Sequence, residues 1–298
     1  MIKHLITGGC SFSNGFHSNG WTGALTKRCI ANNAELTYDH TGRSSSGNDL
    51  IQKRMTIAIL DALSQGYQAH EILAVVMWSG TSRKAWYIDN EAIILKMTEA
   101  WAEFNGGMTN QFVNMRGDLE EDLPAVFHTA NGSEFRYNPN GGWYLSVNGS
   151  DTTLACVKEH YLLDKEVNGV GKTHDSLGNI IELQNFCRLH GITLVNQFFM
   201  NHAYTDIERH RDHDIIHYLY RQFDHDYAIK QGLFEYLHPY IGVEQDQAIF
   251  LSHDERKSLS NSQGVDYFNN DGFHPGEYGY NLWCDQILFP FLSSKKLL

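Results

Sequence analysis

The chain has 298 residues, 42 % of them apolar and 19 % charged, with only 5 prolines, so it can bury a large core and is not a disordered polymer. Its 23 basic residues are outnumbered by 35 acidic ones, and the net charge of −12 repels phosphate backbones, which argues against nucleic acid as the main partner. The widely spaced cysteines Cys10, Cys29, Cys156, Cys187 and Cys284 form no CxxC pair and suit free thiols of a reducing compartment better than a disulfide framework.

The opening segment, Ile2 to Thr7, predicts a buried strand that stops at Gly8-Gly9 and leaves Ser11 in the break. The apolar start is too short, and too soon interrupted by glycine, for a signal peptide, and no run approaches membrane-spanning length. The expectation is a soluble protein made in the cytoplasm, with one domain spanning residues 1–298. Cys10, beside Ser11, reads as a small buried hydrophobe.

Trp21, Leu25 and Cys29 recur at helical spacing and form one stripe that packs back on a sheet. Ala34 to Tyr38 predicts a second strand, followed by the polar loop HTGRSSSGND and a helix from Asp49 to Leu63, which Asn48 is placed to cap. EILAVVMWSG is an unbroken β-branched and aliphatic run, the signature of a central parallel strand buried on both faces. Between about residues 90 and 175 the pattern loosens. Asn105-Gly106-Gly107, Asn131-Gly132 and Asn148-Gly149 mark turns around FRYNP and GGWYLSV, which predicts short strands or a hairpin in an insertion.

Beyond it, IIELQNFCRLHG predicts a helix with a glycine stop and ITLVNQFF the next strand. Asp224 and Asp226 read as helix-start residues. His213 and His217, with His210 one turn earlier, approach the spacing of the HExxH zinc signature. Asp214 stands in the glutamate position, however, and is one methylene too short for that role, so no metal is expected. The chain closes on DGFHPGEYGYNLWCDQIL, in which Tyr280, Trp283 and Ile287 predict a final amphipathic helix. Repeated strand–helix alternation predicts an α/β fold, a parallel sheet with helices on both sides.

The chemistry concentrates at the two extremities. Gly9-Cys10-Ser11-Phe12 follows the first strand, and Asp271, His274 and Pro275 precede the last helix. This pairing of Gly-x-Ser with Asp-x-x-His-Pro resembles the SGNH/GDSL hydrolase family of serine esterases and acetylhydrolases. The resemblance implies a flavodoxin-like three-layer sandwich with a central parallel sheet, ester hydrolysis without a cofactor, and small-molecule or carbohydrate ester substrates. Phage-encoded relatives occur in the family, which implies a particle component as an alternative. Ser11 becomes the nucleophile, His274 the base that takes its proton, and Asp271 the acceptor that fixes the imidazole tautomer. An unperturbed imidazole suits the role because it titrates near operating pH.

The family also implies oxyanion donors from the nucleophile's own N–H, from a second block and from a third-block asparagine. Counting from the strand end favours Ser44 as the second-block donor, while glycine identity favours Gly42 or Gly47. In the third block Gly80-Thr81-Ser82-Arg83 stands where the family has Gly-x-Asn-Asp, so Ser82 replaces the amide. Asn48 is then a substitute donor, and Arg83 a site for an anionic substrate group. Trp78, Trp86 and Tyr87 cluster at the same strand end as candidates for stacking on a sugar ring. The competing expectation is a non-catalytic binding or assembly module that lost the third-block donor.

Overall fold

A computed structural model describes residues 2–13, 20–42, 46–81, 83–88, 127–128, 134–138, 142–148, 169–244, 251–270 and 272–298, with backbone alone for the strands between 83 and 148. The chain runs β1 (His4–Gly9), α1 (Trp21–Asn32), β2 (Thr37–His40), α2 (Asn48–Ser64), β3 (Ile72–Trp78), β4 (Arg83–Ile88), β5 (Phe127–His128), β6 (Glu134–Asn138) and β7 (Gly142–Asn148). It continues with α3 (Val170–His190), β8 (Thr193–Phe198), α4 (Asn201–Arg209), α5 (Asp214–Tyr220), β9 (Ala228–Gly232) and α6 (Leu233–Leu237). The last described helices are α7 (His253–Ser262), α8 (Glu277–Trp283) and α9 (Phe289–Ser294).

Five strands form an all-parallel sheet in the order β2-β1-β3-β8-β9, so the fold is α/β. The middle of the chain forms a separate antiparallel sheet, β4-β7-β6-β5. Its register sets Trp86 opposite Leu145 and Leu145 opposite Phe135. No described helix is long and apolar enough to cross a membrane.

The sheet is covered on both faces, and its register shows how. Gly9, Met77 and Gln197 are paired across β1, β3 and β8 and share one face, while Gly8, Val76 and Asn196 share the other. The Trp283 indole of α8 donates to Gln197 Oε1 at 3.0 Å on the first face. Met55 of α2 lies against Gly8 on the second face, where the Trp78 indole donates to Asn196 Oδ1 at 2.8 Å. The burial that drives assembly comes from β1 and β3, every residue of which is buried, as the unbroken apolar runs require.

The departures from the sequence reading have physical reasons. β2 is an edge strand displaced toward the C-terminus of the expected segment, with Thr37 and Tyr38 exposed, so apolar patterning does not locate it. β9, AIKQG, is the other edge and was not legible as a strand. The helix expected over IIELQNFCRLHG begins ten residues earlier, at Val170, and ends as expected at Gly191 in a left-handed cap of φ 72°. Asp224 caps only a short 3-10 turn, accepting from Asp226 N at 3.2 Å. His213 is the residue before α5 and not part of it, so His213 and His217 are not stacked within one helix; among the described residues no group of three His, Cys, Asp or Glu side chains is placed to hold a metal. Cys10, Cys29, Cys187 and Cys284 are buried free thiols.

Gly178 lies within α3, and a methyl group added to it would have no neighbour within 4 Å. Gly178→Ala should therefore raise stability by up to about 1 kcal/mol by removing glycine's helix penalty, measured as a higher urea midpoint at unchanged slope.

Candidate active site

The parallel sheet changes winding direction between β1 and β3, and at such a point the loops leaving the carboxyl ends diverge and open a crevice. Ser11 follows β1 at this switch point, as the first residue of a 3-10 turn, Ser11–Ser13. The turn is closed by Ser13 N donating to Cys10 O at 2.8 Å, and is tied to α1 by the Trp21 indole donating to Ser13 Oγ at 2.9 Å. The glycines before it are dictated by space. Gly9 has φ 153°, and a methyl group there would lie 2.6 Å from the Met77 carbonyl oxygen and closer still to Ser13 Oγ. That is why the first strand ends in small residues and turns at once.

His274 arrives from the other extremity of the chain. Its Nε2 lies 2.8 Å from Ser11 Oγ, a hydrogen bond between residues 263 positions apart. The loop carrying it is closed by Asn269 N donating to His274 O at 2.9 Å and by Gly272 N donating to Asn269 O at 3.0 Å, with Gly272 at φ 64°. Asp266 then caps α8, accepting from Glu277 N at 3.0 Å and Tyr278 N at 3.2 Å. The imidazole rests on a floor of rings. Phe12, fully buried, lies 4.8 Å from it between centroids, and Phe12 in turn packs on Phe199 at 4.7 Å and Phe273 at 5.3 Å. Sequence reading overlooked these phenylalanines because apolar residues of a strand–loop junction carry no pattern of their own.

The remaining expected residues separate into groups. Asp271, Ser44 and Ser82 lie outside the described residues. Of the two second-block glycines, Gly42 is the one shown against the Ser11–Ser13 turn: a methyl group on it would overlap the Ser13 carbonyl oxygen and lie 2.6 Å from the Ser13 carbonyl carbon. Gly47 is instead the residue before α2, its carbonyl accepting from Leu50 N at 3.1 Å and Ile51 N at 3.0 Å. Asn48 is therefore the first residue of that helix and not its cap. Its Oδ1 accepts from Ser79 N at 2.8 Å, and its amide donates to Ser79 O at 3.2 Å and to Ser176 Oγ. Both amide hydrogens are thereby engaged, and the side chain clamps the exit of β3 to α2 and α3.

Trp78 is a correction to the stacking expectation. It is 0 % exposed, and its indole belongs to the core beneath the sheet's end, so it presents no face to a ligand. Arg83 and Trp86 belong to β4, paired with Asn148 and Leu145 respectively, and only their backbone is described; Tyr87 pairs with Tyr144. Just before that strand, Thr81 Oγ1 donates to Asp206 Oδ2 at 3.0 Å and ties the third block to α4.

The segments that follow β8 and β9 are laced together. Phe234 N donates to Phe199 O at 2.8 Å, Gly232 N to Asn201 Oδ1 at 2.6 Å, and Asn201 N to Glu235 Oε2 at 2.8 Å. Burial of Glu235 pushes its carboxyl up to about 7 from an ordinary 4.5, against the opposing effect of the Asn201 N–H. The folded protein thus holds a proton between those values that the unfolded chain releases. Stability falls as pH rises through that window, by about 3 kcal/mol in total for this group. Glu235→Gln keeps the acceptor for Asn201 N and should flatten that decline, which urea midpoints recorded between pH 5 and pH 8 will show.

No protein-family model matches this chain, and no curated protein matches it. The chemical reading accordingly rests on the geometry: a serine hydroxyl and an imidazole in hydrogen-bond contact at the carboxyl edge of a parallel sheet.

Proposed function

We propose that this chain is a serine-dependent ester hydrolase of the SGNH/GDSL type, acting on carbohydrate or small acyl esters through an acyl-enzyme and without a cofactor. In this reading it is a flavodoxin-like three-layer sandwich, one domain over residues 1–298 with an insertion at about 90–175. The strand order with its switch beside β1 supports that architecture.

The observation that carries the proposal is the 2.8 Å contact between Ser11 Oγ and His274 Nε2. A general base must lie within hydrogen-bond reach of the proton it removes. With Nε2 accepting from the serine, the ring proton sits on Nδ1, where Asp271 would hold it. Ser11 Oγ attacks the ester carbonyl as its proton passes to His274, and the tetrahedral oxyanion forms beside the turn. The first N–H groups of a 3-10 turn have no partner within it, so the N–H of Ser11 is one donor. Gly42, packed against that turn, brings the second-block backbone alongside. Collapse expels the alcohol, which takes the proton back from His274, and water then repeats the sequence on the acyl-serine.

The departure at Ser82 motivates the second reading, a non-catalytic binding or particle-assembly module on the same scaffold. The engagement of Asn48 by Ser79 and Ser176 favours it, since that amide is not available as a replacement donor. A fluorophosphonate probe separates the two. The esterase reading expects covalent labelling of the wild-type protein at Ser11 and none of Ser11→Ala. A folded wild-type protein that stays unlabelled overturns it in favour of the module.

A further inference from the structure

α7 begins with a closed cap: Ser252 Oγ accepts from Glu255 N at 3.3 Å, and Ser252 N and Oγ donate to the Glu255 carboxylate at 2.8 and 2.7 Å. The next residue, Arg256, turns inward and is only 5 % exposed. Its Nη1 donates to the carbonyl of Gly272 at 2.8 Å, its Nη2 donates to the carbonyl of Leu251 at 2.5 Å, and its guanidinium carbon lies 4.9 Å from the centre of the Phe234 ring. Among the described residues it makes no ion pair. The neighbouring His238 adds no charge, because burial, and after it the guanidinium, hold the imidazole down at about 4.

A buried cation with no carboxylate in direct contact among the described residues, only the field of the adjacent Glu255, is costly, and an apolar side chain of similar length would fill the space without that cost. What an apolar side chain lacks is a donor for a backbone carbonyl. The carbonyl concerned belongs to the peptide that leads from Gly272 into Phe273 and His274, and Gly272 has a left-handed φ of 64°. Phe234 carries the guanidinium and also packs on Phe273 at 5.4 Å between centroids, and Phe273 packs on Phe12 beneath the imidazole. The guanidinium and one ring stack therefore hold the same short segment from behind.

The geometry points to Arg256 as the residue that positions His274 against Ser11, through the Gly272 carbonyl and the phenylalanine stack. It is a positioning residue, since it touches neither nucleophile nor base. The inference rests on the esterase reading for its kinetic consequence. Displacement of a base by about 1 Å lowers turnover by as much as about 100-fold.

The test compares Arg256→Met and Arg256→Lys with the wild type in three measurements: hydrolysis of p-nitrophenyl acetate, the rate of Ser11 labelling by a fluorophosphonate, and the His274 imidazole resonance by NMR. Arg256→Met is expected to lower kcat about 100-fold with KM within about two-fold, to slow labelling equally, and to shift the His274 resonance. Arg256→Lys, which keeps one donor for Gly272, should fall between. Wild-type kcat in Arg256→Met overturns the inference, as does a loss in a cooperatively unfolding Arg256→Lys as deep as that in Arg256→Met. If the wild-type protein neither hydrolyses nor labels, the esterase reading fails. The resonance still decides the positioning role, and an unchanged His274 signal in both variants sinks it.

Discussion

Ser11→Ala, His274→Ala and the double variant are each expected to lower kcat for p-nitrophenyl acetate by about 10⁴-fold or more, and all three by nearly the same factor. The reason is that hydroxyl and imidazole do one job. Without the base the alcohol is a poor nucleophile, and without the alcohol the base has nothing to deprotonate, so the second substitution removes what the first has already disabled. His274 is the hydrogen-bond partner described for the Ser11 hydroxyl. Its loss at a half-buried position costs about 1 kcal/mol of stability, so the variants should unfold close to the wild type. Losses that multiply in the double variant would mean that the two residues act independently, which the proposed mechanism does not allow.

Gly42→Ala should be the most damaging single methyl group near the site. The added carbon meets the backbone of Ser13, an atom that cannot swing aside as a side-chain tip does. Either the second-block loop retreats or the Ser11–Ser13 turn is displaced. Overpacking of this kind costs about 1–3 kcal/mol, and displacement of the nucleophile by a fraction of an ångström carries a further kinetic loss of about 10- to 100-fold. The expected result is a lower urea midpoint together with a fall in kcat, in contrast to the stabilisation expected at Gly178. A variant with wild-type stability and rate would show that the close approach of Gly42 to Ser13 is not maintained in solution.

What the sequence disclosed and what it hid divide along a physical line. β1 and β3 were legible because burial on both faces writes an unbroken apolar run, whereas the pairing of Ser11 with His274 came from the resemblance of Gly-x-Ser and Asp-x-x-His-Pro to a known hydrolase family and from no local pattern. Edge strands β2 and β9 were misplaced or missed, since a strand with one exposed margin needs no such run. Trp78 sat in the right neighbourhood but on the wrong side of the surface. An aromatic residue at a strand's carboxyl end faces core or crevice according to parity, and parity depends on a register that only the folded sheet defines. Asn48 and Arg256 hold backbone carbonyls contributed by distant segments, and nothing in their local sequence announces those partners.

The bond between Ser11 and His274 also has a temporal side. Every strand of the parallel sheet has been synthesised before the imidazole emerges, so an incomplete chain carries the alcohol with no means of activating it. Docking of the segment from α7 to α8 must then close a loop nearly as long as the polypeptide, a late event whose entropy is offset only when the rest has already condensed. On the proposed esterase reading, activity is thus a readout of completed folding: activity regained after dilution from denaturant should lag behind the recovery of helical signal.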